Sequence, residues 1–175
     1  QDTSFLIIGE RTNANGSKKF REAMLDGDWD TCTLMGREQL SEGAHVLDLC
    51  VDYVGRDGTL DMDELASRFG TQVAAPLVLD STEPQVMEAG LQHIGGRSLL
   101  NSANLEDGEA PGCRLDRVLT LCKEYGAAAI CLLTALGPAA SASASPLSGV
   151  RPPAAPLTAS LSSAFADDKL TFGVQ

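Results

Sequence analysis

The stretch that decides the fold is Val46-Leu47-Asp48-Leu49-Cys50-Val51-Asp52, together with Pro76-Leu77-Val78-Leu79-Asp80 further along the chain. Both are short, mainly apolar runs that end in a carboxylate. Runs of this length and composition are typical of strands buried on both faces of a parallel sheet. Residues 62–73, between them, have helical periodicity. This strand–helix–strand order predicts a right-handed crossover that joins two parallel strands.

The same alternation extends over the first 133 residues. It predicts strands at residues 5–9, 45–51, 76–80, 97–102 and 127–133. It predicts helices at residues 28–42, 62–73, 83–94 and 114–125. Gly126 directly follows the last of these helices and suits a C-cap. The fold class is therefore α/β with a parallel sheet.

Such a sheet can be an open, doubly wound one or part of a closed barrel. The loop at residues 9–16 does not fit G-x-G-x-x-G, and the chain has no P-loop motif, so a nucleotide-binding open sheet lacks its usual signature. A barrel is favoured by polar residues that follow strand after strand, because (βα)8 barrels place their active sites there. These residues are Glu10, Asn13, Asp48, Asp52, Asp80, Ser81, Asn101 and Asn104. Periodicity alone leaves both closures open.

Composition narrows the function classes. The chain has 175 residues and a net charge of -11, which disfavours nonspecific binding to nucleic acids. It contains no run of about 20 apolar residues that could span a membrane. Its five cysteines form no C-x-x-C pair, and His45 and His93 lie far from a cysteine cluster, so a zinc site is not expected. Buried thiols in a reduced, cytoplasmic setting are the simpler interpretation.

The last 42 or so residues differ in composition from the rest. From Thr134 onward Ala, Ser, Pro, Leu and Gly dominate, and the four charged residues cancel, so residues 1–133 carry the whole negative charge. This composition predicts two parts, a folded one at residues 1–133 and a low-complexity, disordered tail at residues 134–175. Because the first residue is Gln1, we also expect the chain to begin inside a longer protein.

Four stretches, in order and with sensible spacing, resemble one family. They are IGERTNANGSK at 8–18, VLDLCVD at 46–52, LDST at 79–82 and NSANLEDG at 101–108. Together they are similar to the pterin-binding, methyltetrahydrofolate-using domain of cobalamin-dependent methionine synthase. Dihydropteroate synthase and the corrinoid methyltransferases share this type of barrel and are less similar in the first loop.

The resemblance implies a fold and a reaction. The fold is a (βα)8 TIM barrel, of which this chain holds about five βα units. The substrate is 5-methyltetrahydrofolate, whose N5-methyl group is presented to cob(I)alamin bound by a separate domain. The methyl group then passes to homocysteine, bound at zinc in a further domain. The cobalamin-binding and homocysteine-binding domains would thus be the partners of this one.

Two residues are the main candidates for contacts to the pterin ring. Asp80 ends the third predicted strand, and its carboxylate could accept hydrogen bonds from the N–H groups along one edge of the ring. Asn101 ends the fourth, and its amide both donates and accepts. Structural alternatives are a helix cap for Asp80 and a turn that bonds its own backbone for Asn101.

The first loop supplies further candidates. Gly16, Ser17 and Lys18 match the position where the family contacts folate; a glycine allows close backbone approach, and a lysine could reach the anionic folate tail. A solvated loop lysine is an equally good interpretation of Lys18. Asn13 in the same loop, and Asp48 and Asp52 after the second strand, are secondary candidates.

The resemblance stops after five of the eight strand–helix units of a barrel, and a complete barrel of this type needs about 250 residues. We therefore expect half of a pterin site and little or no activity of this chain alone. Two alternatives stay open: a dihydropteroate synthase-like pterin enzyme, and a non-catalytic fragment.

Overall fold

The computed structural model describes residues 6–132, which form five strands and five helices. In chain order they are β1 (Ile8–Gly9), α1 (Lys18–Asp26), α2 (Trp29–Ser41), β2 (Val46–Cys50), α3 (Gly58–Gln72), β3 (Leu77–Asp80), α4 (Pro84–Leu91), β4 (Leu99–Ala103), α5 (Arg114–Tyr125) and β5 (Ala128–Cys131).

All neighbouring strands are parallel, and their spatial order is the order of the sequence, β1-β2-β3-β4-β5. A doubly wound sheet reverses its strand order at a switch point, whereas consecutive strands of a (βα)8 barrel do not. The arrangement confirms the predicted α/β class and the five consecutive parallel strands of a partial barrel, the first four of which are followed by helices. The predicted tail at 134–175 lies outside the described residues.

The core lies between the sheet and the helices. Leu47 and Leu49 of β2 and Leu79 of β3 are fully buried there, and they pack in one cluster with Met62 of α3 and Met87 of α4. Burying each such side chain contributes roughly 1.5–3 kcal/mol. The packing is close: a Cβ added at Gly90 of α4 would lie 2.9 Å from Leu79 Cδ1. The strands that decide the fold are therefore closely packed against α3 and α4.

Each predicted strand and helix has a counterpart, and the largest difference in bounds is at α3, which begins at Gly58 rather than at residue 62. The structure adds one unpredicted helix, α1. Ser17 Oγ caps its start by accepting a hydrogen bond from Phe20 N at 3.3 Å, and Gly27 ends it with a φ of 71°. Phe20 and Met24 anchor this helix in the core.

Two further observations concern residues 6–132. None of the helices described there is long and apolar enough to cross a membrane. All five cysteines lie in this part of the chain, and their thiols are free.

Candidate functional site

A polar cluster occupies the face of the sheet opposite the helices. Side chains alternate along a strand, so Leu47 and Leu49 point toward the helices while Asp48 and Cys50 point the other way. Cys50 pairs in register with Asp80 of β3, and Asp80 pairs with Asn101 of β4. The register thus aligns polar side chains of three strands in one row.

Asn13 links the carboxylates in this row. Its Nδ2 donates to Asp48 Oδ2 at 2.8 Å and to Asp80 Oδ2 at 3.2 Å. Its Oδ1 accepts from the backbone N–H groups of Asn15, at 2.9 Å, and Gly16, at 3.0 Å. All hydrogen-bonding positions of this amide are therefore filled. Asn13 thus connects the first loop to the two carboxylates by hydrogen bonds.

Asp80 and Asn101 form the accessible pair of the cluster. Asn101 Nδ2 donates to Asp80 Oδ1 at 3.2 Å, and both residues are half-buried. Each carboxylate oxygen of Asp80 accepts one amide hydrogen bond, Oδ2 from Asn13 and Oδ1 from Asn101, and can accept further donors. Asn101 Oδ1 has no partner among residues 6–132. The pair can therefore accept several N–H donors from one ligand edge.

Burial dominates the electrostatics of the cluster. It raises the pKa of Asp48 to about 7, with further increases from the charges of Asp80 and Glu10 and a decrease from the Asn13 hydrogen bond. Burial also raises the pKa of Asp80, as does the charge of Asp52. Hydrogen bonds from Cys50 and Asn13 and the charge of Arg114 act against that rise. The carboxyl groups of Asp48 and Asp80 are therefore protonated more readily than exposed carboxyl groups are.

Comparison of the sequence with known proteins identifies the family. Residues 9–148 match the family described as pterin binding enzymes. The chain belongs to the pterin-binding enzyme family. It is 55% identical over 132 residues to a methionine synthase of Mycobacterium tuberculosis (strain ATCC 25618 / H37Rv) and 53% identical over 132 residues to a methionine synthase of Mycobacterium leprae (strain TN). Each alignment covers 75% of this chain and 11% of the relative, so the chain spans about a tenth of those proteins.

The structure corrects two placements within this pterin-binding fold. Asp48 was expected after the second strand, but it is the third residue of β2 and only 7% exposed. Asn101 was expected to end the fourth strand, but β4 continues to Ala103. Asp80 does end β3, as predicted. Asn101 still meets Asp80, because the register pairs these two residues, and Asp48 is linked to Asp80 through the Asn13 amide.

The first-loop candidates lie at the start of α1. Gly16 N donates to Asn13, Ser17 is the N-cap and Lys18 is the first helical residue, so Lys18 is not a loop residue. All three line a cavity of about 910 Å³ that Asn13 also lines. Lys18 is largely exposed, and its Nζ is 3.6 Å from Glu22 Oε1. The structure thus brings these residues beside the cluster but gives them no direct contact with Asp80.

Sequence patterns missed two contributors to the site of this pterin-binding chain. Cys50 was interpreted as a packing residue, yet its Sγ accepts a hydrogen bond from Asn15 Nδ2 at 3.7 Å beside Asp80. Arg114, which was not singled out, donates to the backbone at the ends of β3 and β4. The available signal for Cys50 was its position in a strand, and for Arg114 its position at the start of a helix. Neither position reveals a contact with a residue distant in sequence.

The donor set does not match a metal centre. Within residues 6–132 there is no group of three or more His, Cys, Asp or Glu side chains that could hold a metal ion. The amide groups of Asn13 and Asn101 instead donate hydrogen bonds to the carboxylates of Asp48 and Asp80. The arrangement is suited to an uncharged ring with N–H groups along one edge.

Proposed function

We propose that this chain is the folate-binding part of a cobalamin-dependent methionine synthase, and that it positions 5-methyltetrahydrofolate for transfer of its N5-methyl group. The observation that carries the proposal is the half-buried pair of Asp80 and Asn101, hydrogen-bonded at 3.2 Å on the face opposite the helices. The similarity to two mycobacterial methionine synthases supports methyl transfer over a dihydropteroate synthase-like reaction.

Asp80 and Asn101 would bind the pterin ring directly. In this proposal the Asp80 carboxylate accepts hydrogen bonds from the ring N–H and amino groups, and Asn101 offers its free carbonyl oxygen and its second amide hydrogen to the neighbouring positions. Asn13 and Asp48 hold Asp80 in place, since the Asn13 amide bridges both carboxylates. Such fixed orientation reduces the ordering cost of binding.

The first loop would contact the rest of the folate. Gly16, Ser17 and Lys18 line the cavity beside Asn13, and the exposed Lys18 ammonium group can move toward an anionic tail. Its present partner, Glu22, lies at 3.6 Å on the exposed surface, where an ion pair holds a side chain only weakly. We therefore assign the ring to Asp80 and Asn101 and the glutamate tail to Lys18.

Cobalamin and zinc are assigned to other domains of the full enzyme, the cobalamin-binding and homocysteine-binding domains, which are the partners in this proposal. Cobalamin, when bound, supplies the nucleophilic cobalt that accepts the methyl group. The residues described here do the binding: they fix the ring edge and leave the methyl group accessible to that partner. The five free thiols agree with a reduced, cytoplasmic setting.

In this proposal the described strands face only one side of the substrate. Five strands are present in residues 6–132, against eight in a closed barrel of this type. We propose that residues 1–133 are the first part of the barrel domain, that residues 134–175 are a separate tail, and that the chain by itself binds folate weakly and does not transfer the methyl group.

The test is a titration of the ¹⁵N-labelled chain with 5-methyltetrahydrofolate, followed by NMR. We expect saturable shifts of the Asn13 and Asn101 side-chain amide signals. Asp80→Asn should weaken binding by about 10- to 100-fold, because a charge-assisted acceptor is lost from the ring edge. Asp26→Asn, at the exposed end of α1, is the matched control and should bind as the wild type does.

Two results would contradict the proposal. Shifts that map away from Asn13 and Asn101, or that persist in Asp80→Asn, would show that the ligand binds elsewhere. Turnover of 5-methyltetrahydrofolate with free cobalamin by the purified chain would show that the described part is catalytically sufficient.

A further inference from the structure

Arg114 lies across the ends of two neighbouring strands. As the first residue of α5, it sends its guanidinium group to three backbone carbonyls. Nε donates to Ser102 O at 3.1 Å and Nη2 to Ser81 O at 2.8 Å, and Nη1 donates to Thr82 O. The guanidinium thus bonds the residue that follows Asn101 and the two that follow Asp80.

Asp52 binds the other polar groups of the same segment, Ser81 and Thr82. Asp52 Oδ1 accepts from Ser81 Oγ at 2.7 Å, and Oδ2 accepts from Thr82 N at 2.7 Å and from Thr82 Oγ1 at 3.0 Å. A carboxylate therefore takes the N–H and hydroxyl donors of the segment, while a guanidinium takes its carbonyls. The two charges lock Ser81 and Thr82 without contacting the accessible face of Asp80.

The guanidinium is chemically suited to this position. It presents several N–H donors in a rigid plane, whereas the ammonium of a lysine is a compact charge on a flexible stem. A rigid guanidinium can therefore hold the carbonyls of two chain segments at fixed angles, whereas a flexible ammonium does not fix that geometry. Arg114 thus ties the segment that follows β3 to β4, directly beside Asp80 and Asn101.

We propose that Arg114 is a positioning residue that sets the separation and orientation of Asp80 and Asn101 for the pterin ring edge. This inference rests on the proposed function and deepens it, because it adds a residue that touches neither the ring nor the methyl group. Arg117, one turn further along the same helix, provides the contrast. It is exposed and donates only to the Gln85 side chain, at 2.9 Å.

The groups that face Asp80 are known from every neighbouring element. Asp48 and Cys50 come from β2, Asp52 from the loop after it, Asn13 from the first loop, Asn101 from β4 and Arg114 from α5. Arg114 is the one positive charge among these six. Its replacement by a neutral residue should raise the pKa of the Asp80 carboxyl further, since the charge of Arg114 opposes the effect of burial.

The experiment compares Arg114→Lys, Arg114→Met and the control Arg117→Met in the full 175-residue chain. The first measurement is a ligand-free ¹³C NMR titration of the Asp80 carboxyl group. We expect a higher Asp80 pKa in Arg114→Met, and wild-type behaviour in Arg117→Met and in Arg114→Lys, which keeps the charge. The second measurement is the Kd for 5-methyltetrahydrofolate. Both Arg114 variants should bind about tenfold more weakly, because both lose the guanidinium hydrogen bonds to the three backbone carbonyls.

Several outcomes would overturn the inference. Wild-type affinity in Arg114→Lys would show that the guanidinium hydrogen bonds are not needed for binding. An unchanged Asp80 pKa and unchanged affinity in Arg114→Met, with only a lower Tm, would reduce Arg114 to a structural role. If Arg114→Met does not fold, Arg114→Lys still decides through its affinity. If the wild-type chain binds no folate, the proposed function fails, while the ligand-free titration of Asp80 still decides whether Arg114 acts on this carboxylate.

Discussion

Leu79 and Asp80 are neighbours in β3, yet they belong to opposite faces of the sheet. Leu79 is fully buried against α3 and α4, whereas Asp80 lies in a polar row with Asn13 and Asn101. One face consists of close-packed aliphatic side chains, and the other of acids and amides held by hydrogen bonds. The pleat of a strand thus separates the residues that stabilise the fold from those that would bind a ligand, within a single peptide unit.

The largest effect is expected on the apolar face. Leu79→Ala should lower the free energy of unfolding by about 3 kcal/mol, because it leaves a cavity beside Gly90 and Met62 that the helices cannot fill. Urea unfolding measures the change, and Leu34→Ala, on the exposed side of α2, is the matched control with a loss below about 1 kcal/mol. Below the unfolding transition, the Asn13 and Asn101 amide signals should stay where they are. A shift of those signals would show that the two faces are coupled.

The next effect concerns Asp48 and depends on pH. The pKa of Asp48 is raised from 3.8 to about 7 in the folded chain, so the folded state binds more protons than the unfolded state between these values. The stability contributed by the protonated carboxyl is fully present below about pH 4 and is lost as the pH rises through 7. Asp48→Asn should therefore be more stable than the wild type by roughly 2 kcal/mol at about pH 5.5, and about equally stable at pH 4. Urea unfolding at both pH values measures this difference.

Asp26→Asn controls for the general effect of one less negative charge and should keep the wild-type pH slope. If Asp48→Asn were equally destabilised at both pH values, Asp48 would be ionised in the folded chain. The polar face would then contain an ionised Asp48 carboxylate and not a protonated carboxyl group.

The smallest effect is expected at Lys18. Lys18→Ala should change the free energy of unfolding by less than about 0.5 kcal/mol, because its pair with Glu22 is exposed. It should weaken binding of 5-methyltetrahydrofolate about two- to threefold and leave binding of a tail-free 5-methyltetrahydropterin unchanged. Lys19→Ala is the neighbouring exposed control. Equal losses for both ligands would place Lys18 at the ring instead of the tail.

Much of the fold follows from the sequence because parallel strands leave a local signal. Continuous apolar runs such as the one around Leu47 predicted β2 and β3, and the helical stripe that ends at Gly126 predicted α5 with its C-cap. Helix α1 was missed although its caps, Ser17 and Gly27, are ordinary start and stop signals. The conspicuous first-loop motif overlaps the start of this helix, and only two residues of its interior, Phe20 and Met24, are large and buried.

The site was only partly predictable for a different reason. Asp80 and Asn101 could be singled out from strand positions, but a carboxylate inside a strand, as at Asp48, contradicts local propensity and becomes explicable only through Asn13 across the sheet. The partners of Arg114 on β3 lie more than 30 residues away along the chain. Contacts of this kind depend on register and on helix placement, which a periodic pattern does not contain.

The unreversed strand order has a consequence for how the chain acquires its structure. Within residues 6–132 each strand pairs only with the strands next to it in sequence, so none of these pairings has to wait for a distant segment. Folding that begins at the N-terminus during synthesis can therefore add one strand and its helix at a time. The row of polar side chains is then complete once β4 has joined β3, and α5 adds the Arg114 hydrogen bonds immediately afterwards. We expect the order of translation to be the order of assembly.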